Sequence, residues 1–324
     1  METSLRSKAF GLLFTGTSGV CFACASLFVK LCGDVPISLI ILVRSLLQII
    51  TSLILNLACW RQPFNPKGKM EMLVGFGVLG FLAVYGIYLS FQSISLGEAT
   101  VIISTCPVFV AILERVLLKV SVPVSTTISG LVCSTGVVIL THSAMGEDLH
   151  PMSGLGFAIV TLATIAQAAT FILVRQMNIH FVVPVFYLGI SNTLLSILVA
   201  GPQLSLESLH NIPLDQWGWL LLVSGFAVTG SFTLNVGLQH EQAAMVALIR
   251  NVDIVIAYIF DFLIFKHSFS AMSLFGGGLV ILATIGSGLV SLLQETDYKK
   301  VRRDSVNLES EATLASPRDG LQES

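Results

Sequence analysis

Charge is what this 324-residue chain lacks most. Asp, Glu, Lys and Arg together make up 11% of it, where a soluble domain carries about 25%. With 54% hydrophobic residues and a mean hydropathy of +0.86, the chain could not cover itself with a wettable surface, so lipid is its solvent. No long acidic or basic run points to a nucleic-acid partner. The one concentrated basic patch is Lys299, Lys300, Arg302 and Arg303, after the last apolar stretch. None of the histidines is spaced to hold a metal, and all lie in loops or at the edges of apolar stretches. G-x-S-x-G, H-E-x-x-H and phosphate-binding loops are missing, which argues against an enzyme and against an ATP-driven pump. No cofactor is expected. Six cysteines are present, and Cys21 and Cys24 form a C-x-x-C. Their neighbours are Gly, Val, Phe and Ala in an apolar run, so they read as small packing residues with no disulfide framework.

What is present is a series of long apolar stretches. About 20 such residues cross roughly 30 Å of hydrocarbon. Ten stretches qualify, near 10–30, 36–59, 71–92, 97–118, 124–142, 153–174, 182–200, 215–238, 243–265 and 271–293. With no water in the lipid core the backbone must bond to itself, so the stretches are expected to be helices. The first follows Arg6 and Lys8 and is longer than the roughly 7–15 residues of a signal-peptide core, so it reads as a retained transmembrane helix. The expected organisation is a cytoplasmic N-terminus (1–9), five spans (10–142), a connecting loop (143–152), five further spans (153–293) and a disordered cytoplasmic tail (294–324). Within the tail, Ser305 and Ser316 fit common phosphorylation patterns, and Tyr298-Lys-Lys-Val301 fits a tyrosine-type sorting signal.

Basic loop residues set the orientation. With the N-terminus in the cytoplasm, one side collects Arg6, Lys8, Arg61, Lys67, Lys69, Arg115, Lys119, Arg175 and the patch after the last span. The other side holds Lys30 and Lys266 with several acids. Those two exceptions have partners in the other half. Glu114-Arg-Val-Leu-Leu-Lys119 and Asp261-Phe-Leu-Ile-Phe-Lys266 are each an acid, four residues and a lysine at the end of an apolar stretch. Gly130 and Gly277 follow at equal distances. Phe28-Val-Lys30 aligns with Leu173-Val-Arg175, and Arg44-Ser-Leu-Leu-Gln48 with Asn192-Thr-Leu-Leu-Ser196. Five spans per half is an odd number, so the second half is expected to be inserted upside down. That inversion accounts for both exceptions. Many secondary transporters have this architecture, with substrate bound near the midplane between the repeats.

The two five-helix repeats, Lys30 and Arg175 ending equivalent spans, Arg44 in span two and Ser95-Leu-Gly-Glu-Ala-Thr-Val-Ile102 opening span four resemble the drug/metabolite transporter superfamily. Thr100-Val-Ile-Ile-Ser-Thr-Cys-Pro107-Val-Phe-Val is similar to EamA-type members of solute carrier family 35, subfamily G. Lys119-Val-Ser departs from the pattern, since many members carry an acid there. The resemblance covers roughly residues 8–293. It implies cargo such as nucleotide sugars, organic anions or other metabolites, carried by alternating access, and does not choose among them.

Ionisable groups inside a span are costly and need a partner or a function. Arg44 lies about 12 Å into span two. Arg250 and Asp253 lie in span nine, where helical periodicity puts them on one face with Ala257 and Asp261. A guanidinium suits a carboxylate or phosphate because it donates two parallel hydrogen bonds. The expected substrate site is therefore Arg250, Asp253, Asn251, Arg44, Tyr85, Tyr88 and Gln92, the last three spaced for one face of span three. A permanent Arg250–Asp253 pair that only holds helices together is the structural alternative, and for Arg44 the structural reading is the favoured one. Glu114 and Asp261 read as fold elements at helix ends. Gln167, Asn192 and Asn235 are further polar residues inside spans, where amides also serve as interhelical glue. Pro107 is expected to kink span four. Gly75, Gly77 and Gly80 in span three, and Gly276, Gly277 and Gly278 in span ten, are expected to admit close helix packing.

The expected function is secondary transport of a small anionic metabolite, with a proton or an exchanged counter-substrate as a candidate second partner and a homodimer left open. The alternatives are a nucleotide-sugar antiporter of the Golgi or endoplasmic reticulum and a non-transporting membrane regulatory or scaffold protein. No retention signal and no N-x-S/T acceptor is visible, which favours the plasma membrane with both termini cytoplasmic.

Overall fold

The computed structural model describes residues 2–32, 35–60, 68–93, 96–119, 124–145, 154–200, 213–265, 272, 274–288 and 290. These residues are almost wholly helical. The elements are α1 (Glu2–Leu31), α2 (Ile37–Leu55) continuing into a π-type turn (Asn56–Trp60), α3 (Met70–Ser93), α4 (Leu96–Ser104), α5 (Cys106–Leu117), α6 (Val124–Met145), α7 (Gly154–Met177) and α8 (Val182–Ala200). They continue with α9 (Leu214–His240), α10 (Ala243–Arg250), α11 (Val252–Phe265) and α12 (Leu274–Gly288). Helix covers part of all ten expected stretches. Six of the helices are long and apolar enough to cross a membrane by length and composition. The tail, its serines and its sorting pattern, Lys266, and most of the 143–152 loop lie outside the described residues. Helix α1 begins at Glu2, ahead of the apolar stretch, because nothing between Glu2 and Ala9 breaks a helix.

Two expected spans are not single helices. Span four is divided into α4 and α5 at Thr105, and span nine into α10 and α11 at Asn251. The first division is the expected effect of Pro107, expressed as a break two residues upstream of it. Nothing in the sequence marked the second.

Packing partners exchange when the two halves are swapped. Helix α1 packs along α9 as α3 packs along α7; α2 crosses both α8 and α9, and α8 crosses both α2 and α3. Ser45 and Thr193, which align between the halves, touch each other: Thr193 Oγ1 donates to Ser45 Oγ at 2.8 Å. Equivalent residues in contact place a local two-fold axis between them. Along this seam Gln48 Nε2 donates to Val185 O at 2.7 Å, so numbers rise on α2 as they fall on α8. The two equivalent helices are antiparallel.

The seams are lined by small residues. A Cβ at Gly77 would run into Ser191 Oγ, and one at Gly80 into Leu188, so α3 meets α8 almost backbone to side chain. In α9, a Cβ at Gly237 would strike Thr15 of α1. Gly75 and Gly278 face open space, so only part of each glycine cluster serves packing. The core runs through Leu73, Phe76, Val110, Phe171, Ile172 and Val246, where α3, α5, α7 and α10 meet. Leu162, Leu198 and Leu282 point outward at 67%, 75% and 70% exposure. Such an apolar exterior is stable only against hydrocarbon.

Gly77→Val is expected to lower the melting midpoint of the detergent-purified protein, since overpacking costs about 1–3 kcal/mol. Gly75→Ala, in open space, should leave it unchanged. Equal midpoints for the two variants would show that α3 and α8 do not approach as described.

Candidate binding site

The site is built around the two helix breaks. Pro107 has no N–H, so the helix cannot continue through it with a full set of bonds. The chain tightens instead, with Thr105 N donating to Ile102 O at 3.1 Å and Val108 N to Thr105 O at 2.9 Å. At the second break Asn251 N donates to Leu248 O, and Ile254 N to Asn251 O, each at 3.2 Å. Freed carbonyls must be satisfied inside the protein. Asn251 Nδ2 donates to Ser104 O at 2.9 Å, and Ser134 Oγ reaches the same oxygen at 3.3 Å. One broken helix thus completes the other. Helix α1 closes over the second break at Gly19, where a Cβ would sit 3.5 Å from Arg250 O and 3.6 Å from Asp253 N.

Arg250 ends α10 at this point, and Asp253 lies in the first turn of α11. Although the helix is interrupted between them, the two remain paired, Nε to Oδ2 at 3.9 Å, with side-chain exposures of 18% and 19%. That separation is an ion pair and too long for a hydrogen bond. The guanidinium carbon lies 5.2 Å from the Phe22 ring centre and 5.9 Å from that of Phe171, within cation–π range. The hydrogen-bond network turns the Gln167 amide so that its oxygen accepts from both terminal nitrogens, at 3.1 Å from Nη2 and closer to Nη1.

Arg44 is the second cation. Its side chain is buried on α2, where Nη2 donates to Ser231 Oγ of α9 at 3.4 Å and Tyr88 makes a side-chain hydrogen bond with it. Arg44 Nε makes no hydrogen bond among the described residues. Arg250 is paired with the Asp253 carboxylate, whereas Arg44 bonds to the hydroxyl groups of Ser231 and Tyr88.

Of the expected site residues, the structure brings Arg250 and Asp253 together and joins Arg44 to Tyr88. Tyr85 is half-buried and stacks on Phe81 at 5.4 Å between ring centres. Asn251 is buried and turned to Ser104. The Gln92 side chain lies outside the described residues, as does that of Asp261. Sequence reasoning missed Phe22 and Phe171, since an aromatic in an apolar run carries no signal of a cation above it. Gln167 stood out as a polar residue within a span, but nothing in the sequence tied it to Arg250.

One end of the bundle is clamped by Glu114, which is fully buried. It accepts from Ala243 N at 3.4 Å and Ala244 N at 3.2 Å, so it caps the N-terminus of α10, where a negative charge is favoured. Arg175 of α7 pairs with it at 3.5 Å and also donates to Glu241 O. At the same end Lys69 donates to Met177 O and Gln239 to Ile179 O. The expected role of Glu114 as a helix-end fold element matches this geometry. Helix α5 packs on α10 here, whereas their counterparts α11 and α4 make no comparable contact among the described residues. The two ends of the bundle thus differ in their contacts among the described residues.

Apolar helices packed as two exchangeable halves, with two of them broken where they meet, are an architecture known from membrane transporters. The chain belongs to the EamA-like transporter family, whose sequence model matches residues 9–142 and again 154–289. Its relatives include solute carrier family 35 member G1 of Mus musculus, 28% identical over 313 residues that cover 90% of this chain and 83% of that one. The Homo sapiens protein of the same name is 29% identical, covering 89% and 82%. The pseudopaline exporter CntI of Pseudomonas aeruginosa is 25% identical, covering 67% and 74%. A solved crystal structure superposes with a TM-score of 0.72 at 15% identity, covering 89% of this chain and 98% of that one, which shows the same fold.

Breaking a fully buried ion pair from one side costs about 3–5 kcal/mol. The Arg175 side chain is 30% exposed, so the cost here lies below that range and adds to the loss of a helix cap, about 0.5–2 kcal/mol. Glu114→Ala, which strips Arg175 of its partner and α10 of its cap, is therefore expected to lower the melting midpoint sharply. Glu114→Gln, which keeps an acceptor for the cap, should fall between it and wild type. A wild-type midpoint in both variants would rule out the clamp.

Proposed function

We propose that the protein is a secondary transporter that moves a small anionic organic metabolite by alternating access, with Arg250 as the main anion contact. The observation that carries this reading is the Arg250 guanidinium at the break between α10 and α11, where it is only partly buried. Asp253 serves as its counter-ion in the empty carrier. Arg44, Tyr88 and Tyr85 form the neighbouring wall, Gln92 extends it along α3, and Asn251 holds the backbone that presents Arg250.

The twelve helices form ten spans in two inverted repeats, α4 with α5 and α10 with α11 each making one span. Antiparallel α2 and α8, touching at equivalent residues, support the inversion. Support for alternating access comes from the unequal ends. The Glu114 clamp closes the end that the basic-loop bias assigns to the cytoplasm, and the counterparts α4 and α11 stand apart. Exchange of those two states would carry a bound anion from one side to the other. Both termini are cytoplasmic, and the membrane of residence is the plasma membrane.

Counterflow into liposomes holding the purified protein tests the reading, with a labelled panel of carboxylates, nucleotide sugars, amines and neutral metabolites. Uptake of one anionic class, reduced at least about ten-fold in correctly folded Arg250→Ala, is the expected result. Unchanged affinity in that variant would sink the assignment of Arg250. Uptake of amines alone would overturn the anionic reading.

An epitope at the C-terminus checks the topology and the address together. It should be detected at the cell edge only after permeabilisation. Detection on intact cells would contradict an even number of spans with the N-terminus inside.

A further inference from the structure

The terminal nitrogens of the Arg250 guanidinium already have an acceptor within the protein. The guanidinium carbon lies over the Phe22 and Phe171 rings, 5.2 and 5.9 Å from their centres. Asp253 stands off Nε at 3.9 Å, which leaves Nε without a hydrogen bond among the described residues. The two terminal nitrogens, the fork that grips a carboxylate or phosphate with parallel hydrogen bonds, are taken by one neutral acceptor, the amide oxygen of Gln167. Gln167 comes from α7, in the half of the chain that also supplies Arg250, and it replaces water that a buried cation would otherwise need.

We propose that Gln167 is a specificity-determining residue. Its amide oxygen holds the fork of Arg250 in the empty carrier and must be displaced when an anion binds. The inference rests on Arg250 being the anion contact. Its physical content is a competition. A neutral solute offers an acceptor no stronger than the amide it would displace and gains nothing. A carboxylate or phosphate brings a full charge and a second oxygen, and hydrogen bonds between ionised partners are roughly twice as strong as neutral ones. Gln167 thus sets a threshold that charge passes and neutral polarity does not. It also keeps the empty site satisfied, so the guanidinium is not left bare in low dielectric between substrates.

The sign of the effect separates this role from two others. If Gln167 were itself a ligand of the anion, removing its amide would weaken binding. If it were only structural, removal would change stability and leave anion affinity alone. If it competes, removal strengthens binding.

Acetate and inorganic phosphate serve as probes, with acetamide as the neutral control, in thermal-shift titrations of the full-length purified protein at constant ionic strength. Gln167→Leu, of similar size and without an acceptor, is expected to bind both anions about ten-fold more tightly than wild type, within the strength of a hydrogen bond to a charged group. Gln167→Glu fixes a carboxylate on the fork and is expected to lose anion binding while melting no lower than wild type. Acetamide should bind none of the three proteins. Weaker or unchanged anion affinity in Gln167→Leu overturns the proposal. Wild-type anion affinity in Gln167→Glu overturns it as well, and does so even if the leucine variant does not fold. Arg250→Ala tells the two levels apart. Anion binding by wild type that is lost in Arg250→Ala but indifferent to both Gln167 variants removes this inference and leaves the site. Wild-type protein that binds neither anion, or binds them equally well without Arg250, removes both.

Discussion

Two of the helices that build this bundle are interrupted, and in a molecule solvated by lipid an interrupted helix leaves backbone groups that no water can reach. The hydrogen bond from Asn251 to the carbonyl of Ser104 answers that problem for both breaks together. It ties the first half of the chain to the second where α4 gives way to α5 and α10 to α11. Much else follows from it. Arg250 and Asp253 flank Asn251 in sequence, so fixing the amide fixes the position of the charges. Ser134 shares the same carbonyl, which brings α6 into the arrangement, and α1 lies against the break at Gly19. A regular helix at this place would bury its backbone groups in its own ladder and present side chains alone.

The charges of the interior are arranged in two groups with different tasks. Glu114 is held by a helix N-terminus and by Arg175, with every contact from elements at one end of the bundle. Glu114 itself is fully buried, so stripping it of these partners is costly. Arg250 and Arg44 are held more loosely. The Nε of each makes no hydrogen bond among the described residues, and the partners of Arg250 are an ion pair beyond hydrogen-bond length, two aromatic faces and a neutral amide. Loosely satisfied cations are suited to exchanging partners, and tightly capped carboxylates are not.

Much of the fold was legible in the sequence because two constraints of the bilayer are written in composition. The hydrocarbon thickness fixes the length of an apolar stretch, and helices were found on all ten. The membrane also separates basic residues by side. Lys30 and Lys266, at odds with the bias of the other basic residues and each matched in the other half, pointed to the internal repeat that the two matches of the family model bear out. The seam between Ser45 and Thr193 was already aligned as equivalent from the sequence. Pro107 marked one helix break through its missing N–H. The break at Asn251 left no such mark, since it depends on a carbonyl in another helix that attracts the asparagine away from its own.

The sequence by itself determined the solvent, the class of secondary structure, the two-fold plan and the identity of the interior charges, because each is local or periodic and needs no knowledge of neighbours. Only the tertiary structure decided which charges meet. That Glu114 caps α10 across 129 residues of chain, that Tyr88 reaches Arg44, and that Phe22, Phe171 and Gln167 surround Arg250 all depend on helix packing. In lipid that packing is set by small residues and shape, with no hydrophobic pattern to announce which faces pair. A polar side chain in a span shows that it has a partner or a function, and the fold alone shows what that partner is.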